Sequence, residues 1–245
     1  MSNMRENPIE IEKDEFRRMG HQLIDDISDF IESIAERPVT YNRSPSQIQE
    51  KITAASLPEN GSAPGPLLNQ TADFLFNNSL FNGHPKFLGY ITSSATPIGA
   101  LADLLASVVN PNVGAHILSP AATEIEKQTI QWLAELIGVS PSYGGILVSG
   151  GNMANFTAFL AAITAKTPKA LKTEGVRTLA GNPAVYCAKS THAWIEKAAI
   201  LFGLGSNAIR WIPCDSENRM KTAVLEETIR EDLNNGSLPM MVVGT

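Results

Sequence analysis

The sequence predicts an α/β protein in which a mostly parallel sheet with flanking helices follows an N-terminal helical arm. Two observations support this fold class: strand-like and helical runs alternate through the second half of the chain, and a long amphipathic helix stands near its start. The strand-like runs cover residues 145–149, 184–188, 208–212 and 239–244, and the helical runs between and after them cover 152–165, 191–203 and 222–234.

The arm is predicted from apolar periodicity. Apolar residues from Phe16 to Ile34 recur at spacings of three and four, with charged residues on the opposite face. We expect this helix to end near Arg37-Pro38, because the residue before a proline avoids helical geometry. A stripe this wide needs a large apolar partner, in its own domain or in another subunit.

Proline, glycine and serine residues mark a connector and the ends of three predicted helices in the middle of the chain. A connector rich in Pro, Gly and Ser covers residues 56–66, and a helical stretch follows around 67–81. One helix is expected from Pro97 to the break at Asn110, since proline suits the first turn. Another should start at Ser119-Pro120 and end at Gly138. Residues 166–183 look like a basic, irregular surface excursion.

Composition narrows the classes of function. The chain has 245 residues, is 43% hydrophobic and 18% charged, and carries a net charge of −6, so it lacks the basic surplus that nucleic-acid binding needs. It contains no apolar run long enough for a transmembrane helix, and its polar, acidic N-terminus is not a secretory signal. Cys187 and Cys214 are predicted to be buried thiols rather than a disulfide or metal pair. These features favour a cytoplasmic protein without a membrane partner.

The end of the chain reads as a buried strand. Residues 238–245 are mostly apolar and run straight into the C-terminus, whereas a parallel strand normally feeds a following loop and helix. We therefore expect the sequence to be the front part of a longer protein. A natural edge strand that simply ends is the alternative.

An anion site is predicted where the strand-like run 145–149 meets a helix. The turn Gly150-Gly151-Asn152 would direct backbone N–H groups outward at a helix N-terminus, which attracts a phosphate. The turn lacks the patterns G-x-G-x-x-G, G-K-S/T and G-x-S-x-G, which disfavours a nicotinamide enzyme, an ATPase and an α/β-hydrolase. Tight packing without a ligand remains an alternative for such a turn.

Other segments carry chemistry-bearing side chains. His192 opens a helix directly after the strand AVYCA, where its ring could stack on a planar cofactor or cap the helix. The segment HPKFLGY places His84, Lys86 and Tyr90 around Phe87. Thr245 ends a strand at the same crevice as His192, where its hydroxyl could meet a cofactor.

Six motifs together resemble one family. HPKFLGYITSS, LADLLAS, SPAATEIEKQTIQWL, GILVSGGNMANFTAFLAA, THAWIEKAAILFGL and MMVVGT occur in the order and spacing of the group II pyridoxal-phosphate-dependent amino acid decarboxylases, especially the aromatic L-amino acid decarboxylases. The resemblance runs from Glu15 to Thr245. It implies the aspartate-aminotransferase-type fold, PLP fold type I, with its C-terminal part absent. Residues 1–95 would form the helical arm and substrate-segment linker, and 96–245 the first part of the large cofactor-binding domain.

The resemblance implies roles in binding pyridoxal 5′-phosphate (PLP). Gly151, Asn152 and Met153 look like the phosphate cup, in which Asn152 would donate an amide N–H where many members have Ser or Thr. His192 looks like the catalytic residue that stacks on the cofactor ring, and Thr245 lies close to the cofactor. No metal ion is expected.

Further roles concern the substrate and the partner chain. Tyr90 and Ser93 look like substrate-binding positions. His116 lies in the loop that approaches the substrate from the neighbouring subunit. The amphipathic helix near the N-terminus looks like the arm that crosses onto a second copy, which implies a homodimer.

Some family features are missing from this sequence. The family's H-x-D-A-A-like and N-P-H-K-like segments, which carry the pyridinium aspartate and the Schiff-base lysine, have no counterpart here, and neither does the flexible-loop tyrosine. None of the lysines present is expected to follow a suitable strand: Lys86 sits in the substrate segment, and Lys166, Lys169 and Lys172 lie in the basic excursion. We expect this chain alone to bind PLP weakly and to catalyse nothing.

The function implied is the decarboxylation of an L-amino acid to its amine and CO2, and we expect the amino acid to be aromatic. Two alternatives stay open: a non-catalytic fragment or degenerate partner subunit, and an aromatic aldehyde synthase on the same fold. The pocket residues do not separate tyrosine, dihydroxyphenylalanine, tryptophan, histidine and glutamate as substrates.

Overall fold

The computed structural model describes residues 10–52, 59–167 and 171–245. The chain forms two compact units, Met1–Pro111 and Asn112–Thr245. Its helices are α1 (Lys13–Ser33), α2 (Pro45–Ile52), α3 (Pro64–Asn78), α4 (Pro97–Val109), α5 (Pro120–Leu136), α6 (Gly150–Lys166), α7 (Leu171–Glu174), α8 (Trp194–Leu201) and α9 (Thr222–Asn234). Its strands are β1 (Asn182–Ala188), β2 (Ile209–Ile212) and β3 (Ser237–Val243). Within the described ranges, no helix has the length and apolar character needed to cross a membrane.

Aromatic packing between α1 and α3 organises the first unit. The ring of Phe30 stacks on that of Phe76 with centroids 4.4 Å apart, and Phe81 meets Phe30 edge-on at 5.3 Å. The guanidinium of Arg37 lies over Phe30 and donates to the carbonyl oxygen of Phe76 at 3.0 Å. The predicted arm helix is confirmed, and it ends through a 3₁₀ turn immediately before Arg37.

Helix α2 was not predicted, although its sequence carries a local signal. Ser44 and Gln47 form a reciprocal capping box: the backbone N–H of Ser44 donates to the side chain of Gln47 at 2.9 Å, and the N–H of Gln47 donates to Ser44 Oγ at 3.3 Å. Pro45 occupies the first helical position, where its missing N–H costs nothing. The predicted connector at 56–66 lies partly outside the described residues, and its last three positions belong to α3.

The second unit contains the predicted parallel sheet. Its strand order is β2-β1-β3, and both pairings are parallel. Alternate residues of the central strand β1 face opposite layers: Val185 and Cys187 pack with residues of α6 and α8, and Ala184 and Tyr186 pack with residues of α9. The predicted α/β fold with a parallel sheet and flanking helices is confirmed, and the apolar core lies on both faces of β1.

The predicted strand at 145–149 is wrong. Residues 145–148 have no regular secondary structure, and Ile146 and Leu147 are 63% and 53% exposed. A strand needs a neighbour to take its backbone hydrogen bonds, and no described strand lies beside this segment. One of its N–H groups, that of Leu147, instead donates to the side chain of Glu126 at 2.9 Å.

Smaller corrections concern the excursion and the cysteines. The basic excursion, residues 166–183, contains the short helix α7 and a 3₁₀ turn, while residues 168–170 lie outside the described part of the chain. Cys187 is buried in β1 as predicted, and burial raises its pKa to about 11. Cys214 is only half-buried and follows β2, because the chain leaves the sheet at Pro213.

A buried polar cluster ties α9 to the sheet. Asp232 of α9 accepts a hydrogen bond from the hydroxyl of Tyr186 on β1 at 2.8 Å. It also accepts two from the guanidinium of Arg210 on β2, at 2.9 and 3.0 Å. Burial acts to raise the pKa of Asp232, but the hydrogen bonds from Arg210 and Tyr186 outweigh it, so that this pKa lies below its ordinary value. Burial raises the pKa of Tyr186, which therefore stays protonated as the donor.

Replacing Gly181 by alanine is expected to destabilise the second unit. A Cβ at this position would collide with the backbone carbonyl oxygen of Gly236, where the chain enters β1 and β3. The backbone must shift to accept it, at a cost of about 1–3 kcal/mol. The change is measured as the free energy of unfolding in urea.

Gly20→Ala is the matched control for this substitution. Gly20 lies inside α1, and none of the described atoms outside its own helix comes within 4 Å of an added Cβ. Alanine there should stabilise the helix by about 0.5–1 kcal/mol. Equal changes in unfolding free energy for the two variants would contradict the close backbone approach at Gly181.

Candidate active site

The predicted anion turn lies at the N-terminus of α6. Gly150 has φ +80°, a conformation that glycine adopts without strain, and it is preceded by Ser149 in extended geometry. The first-turn N–H groups of a helix have no intrahelical acceptor, and the hydroxyl of Ser149 makes no capping bond to them within the described structure. Among the described residues, none comes within 4 Å of a Cβ built on Gly150 or Gly151, so the turn is open to a ligand.

The residues around this turn fit a phosphate group. Gly151, Asn152 and Met153 occupy the first turn of α6 and are exposed. Their N–H groups and the positive end of the helix dipole suit a dianion, and the side-chain amide of Asn152 can add a further donor.

The carboxyl ends of the three strands form one polar edge. Thr191, which follows β1, and Thr245, which follows β3, share a hydrogen bond of 2.7 Å between their hydroxyl oxygens. Ser190 Oγ lies 3.7 Å from Sγ of Cys214, which follows β2. Sequence reasoning selected Thr245 as a site residue and placed the Ser190-Thr191-His192 turn at a strand end, but it gave no individual role to Thr191, Ser190 or Cys214. All three residues come shortly after predicted parallel strands. Ligands of α/β sheets bind at that end of the strands, so this position in the sequence could have identified them.

The ring of His192, which lies two residues before α8 rather than opening it, is oriented by the first residue of that helix. Its Nδ1 accepts a hydrogen bond of 3.2 Å from the backbone N–H of Trp194, so the neutral ring carries its proton on Nε2. The indole of Trp194 meets the ring of Phe159 on α6 edge-on, with centroids 6.2 Å apart. The imidazole therefore caps α8 and is exposed to solvent. Capping and stacking on a planar ligand are compatible in this geometry.

Lys189 also belongs to this edge, and the sequence did not single it out. It is the first residue after β1, and its backbone N–H donates to the carbonyl oxygen of Ile212 at 3.0 Å. Its side chain is exposed. The expectation that the chain's lysines do not follow a suitable strand overlooked this residue.

His116 is tied to α5. Its Nε2 lies 3.1 Å from the Oε1 of Glu124, and this carboxylate also accepts a hydrogen bond of 2.7 Å from Lys127. The hydrogen bond from Lys127 is the largest influence on Glu124 and holds its pKa below the ordinary value. His116 itself is exposed.

The two positions predicted to bind substrate belong to the first unit. Tyr90 is 89% exposed, has φ +59° and has its ring centroid 6.4 Å from that of Phe87. Ser93 is also exposed, three residues further along the same loop. The structure thus presents both side chains on a single loop between α3 and α4.

Known proteins match nearly the whole chain. The family model described as the pyridoxal-dependent decarboxylase conserved domain matches residues 45–245. An aromatic-L-amino-acid decarboxylase of Bacillus atrophaeus is 32% identical over 98% of this chain and 48% of its own length. The chain spans about half the length of the curated relatives it matches.

Solved structures share the fold. The structure of Oryza sativa TDC with PLP and tryptamine matches with a TM-score of 0.83 and 27% identity, over 97% of this chain and 49% of that one. A Rhodiola rosea 4-hydroxyphenylacetaldehyde synthase matches with a TM-score of 0.82 and 26% identity, over 96% of this chain and 50% of its own. With its family model, its relatives and its fold in agreement, the chain belongs to the pyridoxal-dependent decarboxylase family, whose cofactor is pyridoxal 5′-phosphate.

Proposed function

We propose that this chain provides the phosphate-binding and ring-binding part of an enzyme that decarboxylates an aromatic L-amino acid to its amine and CO2. The observation that carries the proposal is the polar edge at which the hydroxyls of Thr191 and Thr245 meet, with Thr191 directly before the exposed His192 in the sequence. The named relative with 32% identity supports the reaction and the substrate class.

The chain's own residues would position the reactants. PLP, when bound, accepts the electrons that the departing carboxylate leaves on the amino acid. The first turn of α6 would hold the phosphate, and the imidazole of His192 would fix the ring plane. The hydroxyls of Thr191 and Thr245 would line the cofactor site and offer it hydrogen bonds. Fixed orientation of this kind lowers a barrier by up to about 7–11 kcal/mol in favourable systems.

The substrate and partner assignments extend this proposal. Tyr90 and Ser93 would contact the amino acid side chain, and His116 would approach it from the neighbouring subunit. We also propose a homodimer formed through α1, because Phe16 and Ile31 on its apolar stripe remain exposed. A cytoplasmic location and the division of the chain at residues 95 and 96 stay predictions.

Two other functions predict different products. The likeness to a 4-hydroxyphenylacetaldehyde synthase favours an aldehyde synthase as the second candidate. A non-catalytic partner subunit is the third, since the Schiff-base lysine of the family was not found in this sequence.

A product assay on the protein expressed from its natural gene tests the proposal. The protein, loaded with PLP, is given L-tyrosine, L-tryptophan or L-dihydroxyphenylalanine, with L-glutamate as the non-aromatic control. We expect one CO2 and one amine per turnover of an aromatic substrate. Aldehyde and ammonia would establish the synthase, preferred turnover of glutamate would refute the aromatic pocket, and no turnover at all would favour the non-catalytic subunit.

Asn152→Leu is expected to weaken PLP binding. The change removes an amide donor at the phosphate turn and keeps the side-chain volume, so the Kd of PLP should rise about tenfold. Turnover at saturating PLP should change little. Titration of the protein with PLP, followed by absorbance, gives the Kd.

Thr157→Leu provides the control, because Thr157 is exposed on the second turn of α6. It should leave the Kd within about twofold of the wild-type value, a difference below 0.5 kcal/mol. An unchanged Kd in Asn152→Leu would place the phosphate elsewhere.

A further inference from the structure

Residues 84–93 form an exposed loop whose base is closed. A Cβ placed on Gly83 would lie 3.3 Å from the Cβ of Ser94, so the two ends of the loop touch. The outer part of the loop is apolar, with Leu88 at 93% exposure and Ile91 fully exposed beside Tyr90. A compact loop with closely spaced ends is a common carrier of function.

One buried side chain at the base of this loop makes two hydrogen bonds. His84 is 4% exposed. Its Nε2 lies 2.9 Å from the carbonyl oxygen of Arg37, and its Nδ1 lies 3.0 Å from the backbone nitrogen of Lys86. A carbonyl oxygen can only accept and an amide N–H can only donate. His84 is therefore neutral in this arrangement, with its proton on Nε2.

The first bond attaches the loop to a fixed point of the first unit. The side chain of Arg37 is held by Ser33 Oγ at 2.9 Å, by the carbonyl oxygen of Phe76 at 3.0 Å and by the ring of Phe30. Its backbone carbonyl is thus anchored to both α1 and α3. The hydrogen bond from the imidazole of His84 therefore attaches the base of the loop to Arg37, which lies 47 residues earlier in the sequence.

The second bond sets the turn that leads to Tyr90. When Nδ1 accepts the N–H of Lys86, the chain reverses so that the N–H of Phe87 reaches the carbonyl oxygen of His84 at 2.9 Å. The ring of Phe87 then folds back over Gly89. A Cβ built on Gly89 would lie 3.3 Å from the Cζ atom of this ring. Tyr90 follows at φ +59°, an uncommon conformation for a residue with a side chain.

We propose that His84 is a positioning residue for the substrate: by accepting the Lys86 N–H it fixes the turn that holds Tyr90 towards an aromatic amino acid. This inference rests on the proposed function, because it takes Tyr90 as a substrate contact. His84 touches neither substrate nor cofactor and acts only through the loop.

Two substitutions separate the two hydrogen bonds. In His84→Asn, the amide oxygen stands where Nδ1 was and can still accept from Lys86, while the bond to Arg37 is lost. In His84→Gln, the longer amide can still donate to the Arg37 carbonyl, while the acceptor for Lys86 is lost. Each variant removes one bond of similar kind, so a purely structural role predicts equal effects from the two.

The first readout is amide hydrogen exchange at Lys86 in the full natural protein. We expect slow exchange in wild type and in His84→Asn, and exchange at least about tenfold faster in His84→Gln, since one hydrogen bond is removed. The second readout is steady-state kinetics with L-tyrosine. We expect KM to rise about tenfold in His84→Gln with kcat changed less than twofold, and both to stay within about twofold of wild type in His84→Asn.

Equal increases in KM for the two variants would overturn the proposal, and so would unchanged Lys86 exchange in His84→Gln. If the wild-type protein decarboxylates no amino acid, the proposed function fails on its own. The exchange measurement then still decides whether His84 fixes the turn.

Discussion

Replacing His192 by alanine should lower the turnover of the PLP-loaded natural protein about 100-fold while the fold stays intact. The imidazole is exposed and held in one orientation by the N–H of Trp194, so its loss removes the flat partner that would fix the cofactor plane. Misplacement of reacting groups by about 1 Å is enough for a 100-fold loss. The stability cost should stay below about 1.5 kcal/mol, because one hydrogen bond is removed. Steady-state kinetics and urea unfolding measure the two quantities.

His21→Ala is the matched control, since His21 is an exposed histidine on α1. We expect it to change turnover less than twofold. If His192→Ala kept wild-type turnover, the stacking role would be refuted and capping of α8 would be its whole function.

Asp232→Ala is expected to cost about 3 kcal/mol of unfolding free energy at pH 7. It leaves the guanidinium of Arg210 and the hydroxyl of Tyr186 without their shared partner in a mostly buried site. Removing one member of a buried pair is far more damaging than removing an exposed one. Urea unfolding of wild type and variant gives the difference.

The loss of unfolding free energy caused by Asp232→Ala should depend on pH. The folded-state pKa of Asp232 is lowered relative to the unfolded chain, so the paired carboxylate stabilises the protein above the unfolded-state pKa near 4. That contribution is lost as the pH falls through the folded-state pKa. The difference between wild type and Asp232→Ala should therefore shrink below about pH 4.

Glu226→Ala serves as the control for Asp232. Glu226 pairs with Arg230 at 2.7 Å on the exposed face of the same helix, α9. Its removal should cost less than about 0.5 kcal/mol, because solvent screens the pair. Equal losses from the two variants would show that the Asp232 cluster does not hold α9 to the sheet.

Local signals predicted the helices well because each one is decided by neighbouring residues. Thr96 and Pro97 start α4, where the Thr96 hydroxyl accepts from the N–H of Gly99 at 3.2 Å. Asn110 ends it in a left-handed conformation. The capping box at Ser44 and Gln47 was equally readable and would have revealed α2. The parallel sheet followed from alternation of strands and helices.

Pairing in the sheet could not be predicted from local pattern. The run at 145–149 is as apolar as β1, yet only β1 has neighbouring strands on both sides. Strand formation depends on distant partners, and propensity does not supply them. The bond between Thr191 and Thr245 joins residues 54 positions apart and requires the strand order. The contact of His84 with Arg37 could not be predicted for the same reason, because the two residues are 47 positions apart in the sequence.

The most direct test is to find which lysine binds PLP. The protein from its natural source is loaded with PLP and reduced with borohydride, and the modified peptide is identified by mass spectrometry. Our account predicts one phosphopyridoxyl group per chain on a lysine outside these 245 residues, with less modification at limiting PLP when Asn152 is replaced by leucine. A group on Lys189, at the end of β1, or no group at all would contradict it.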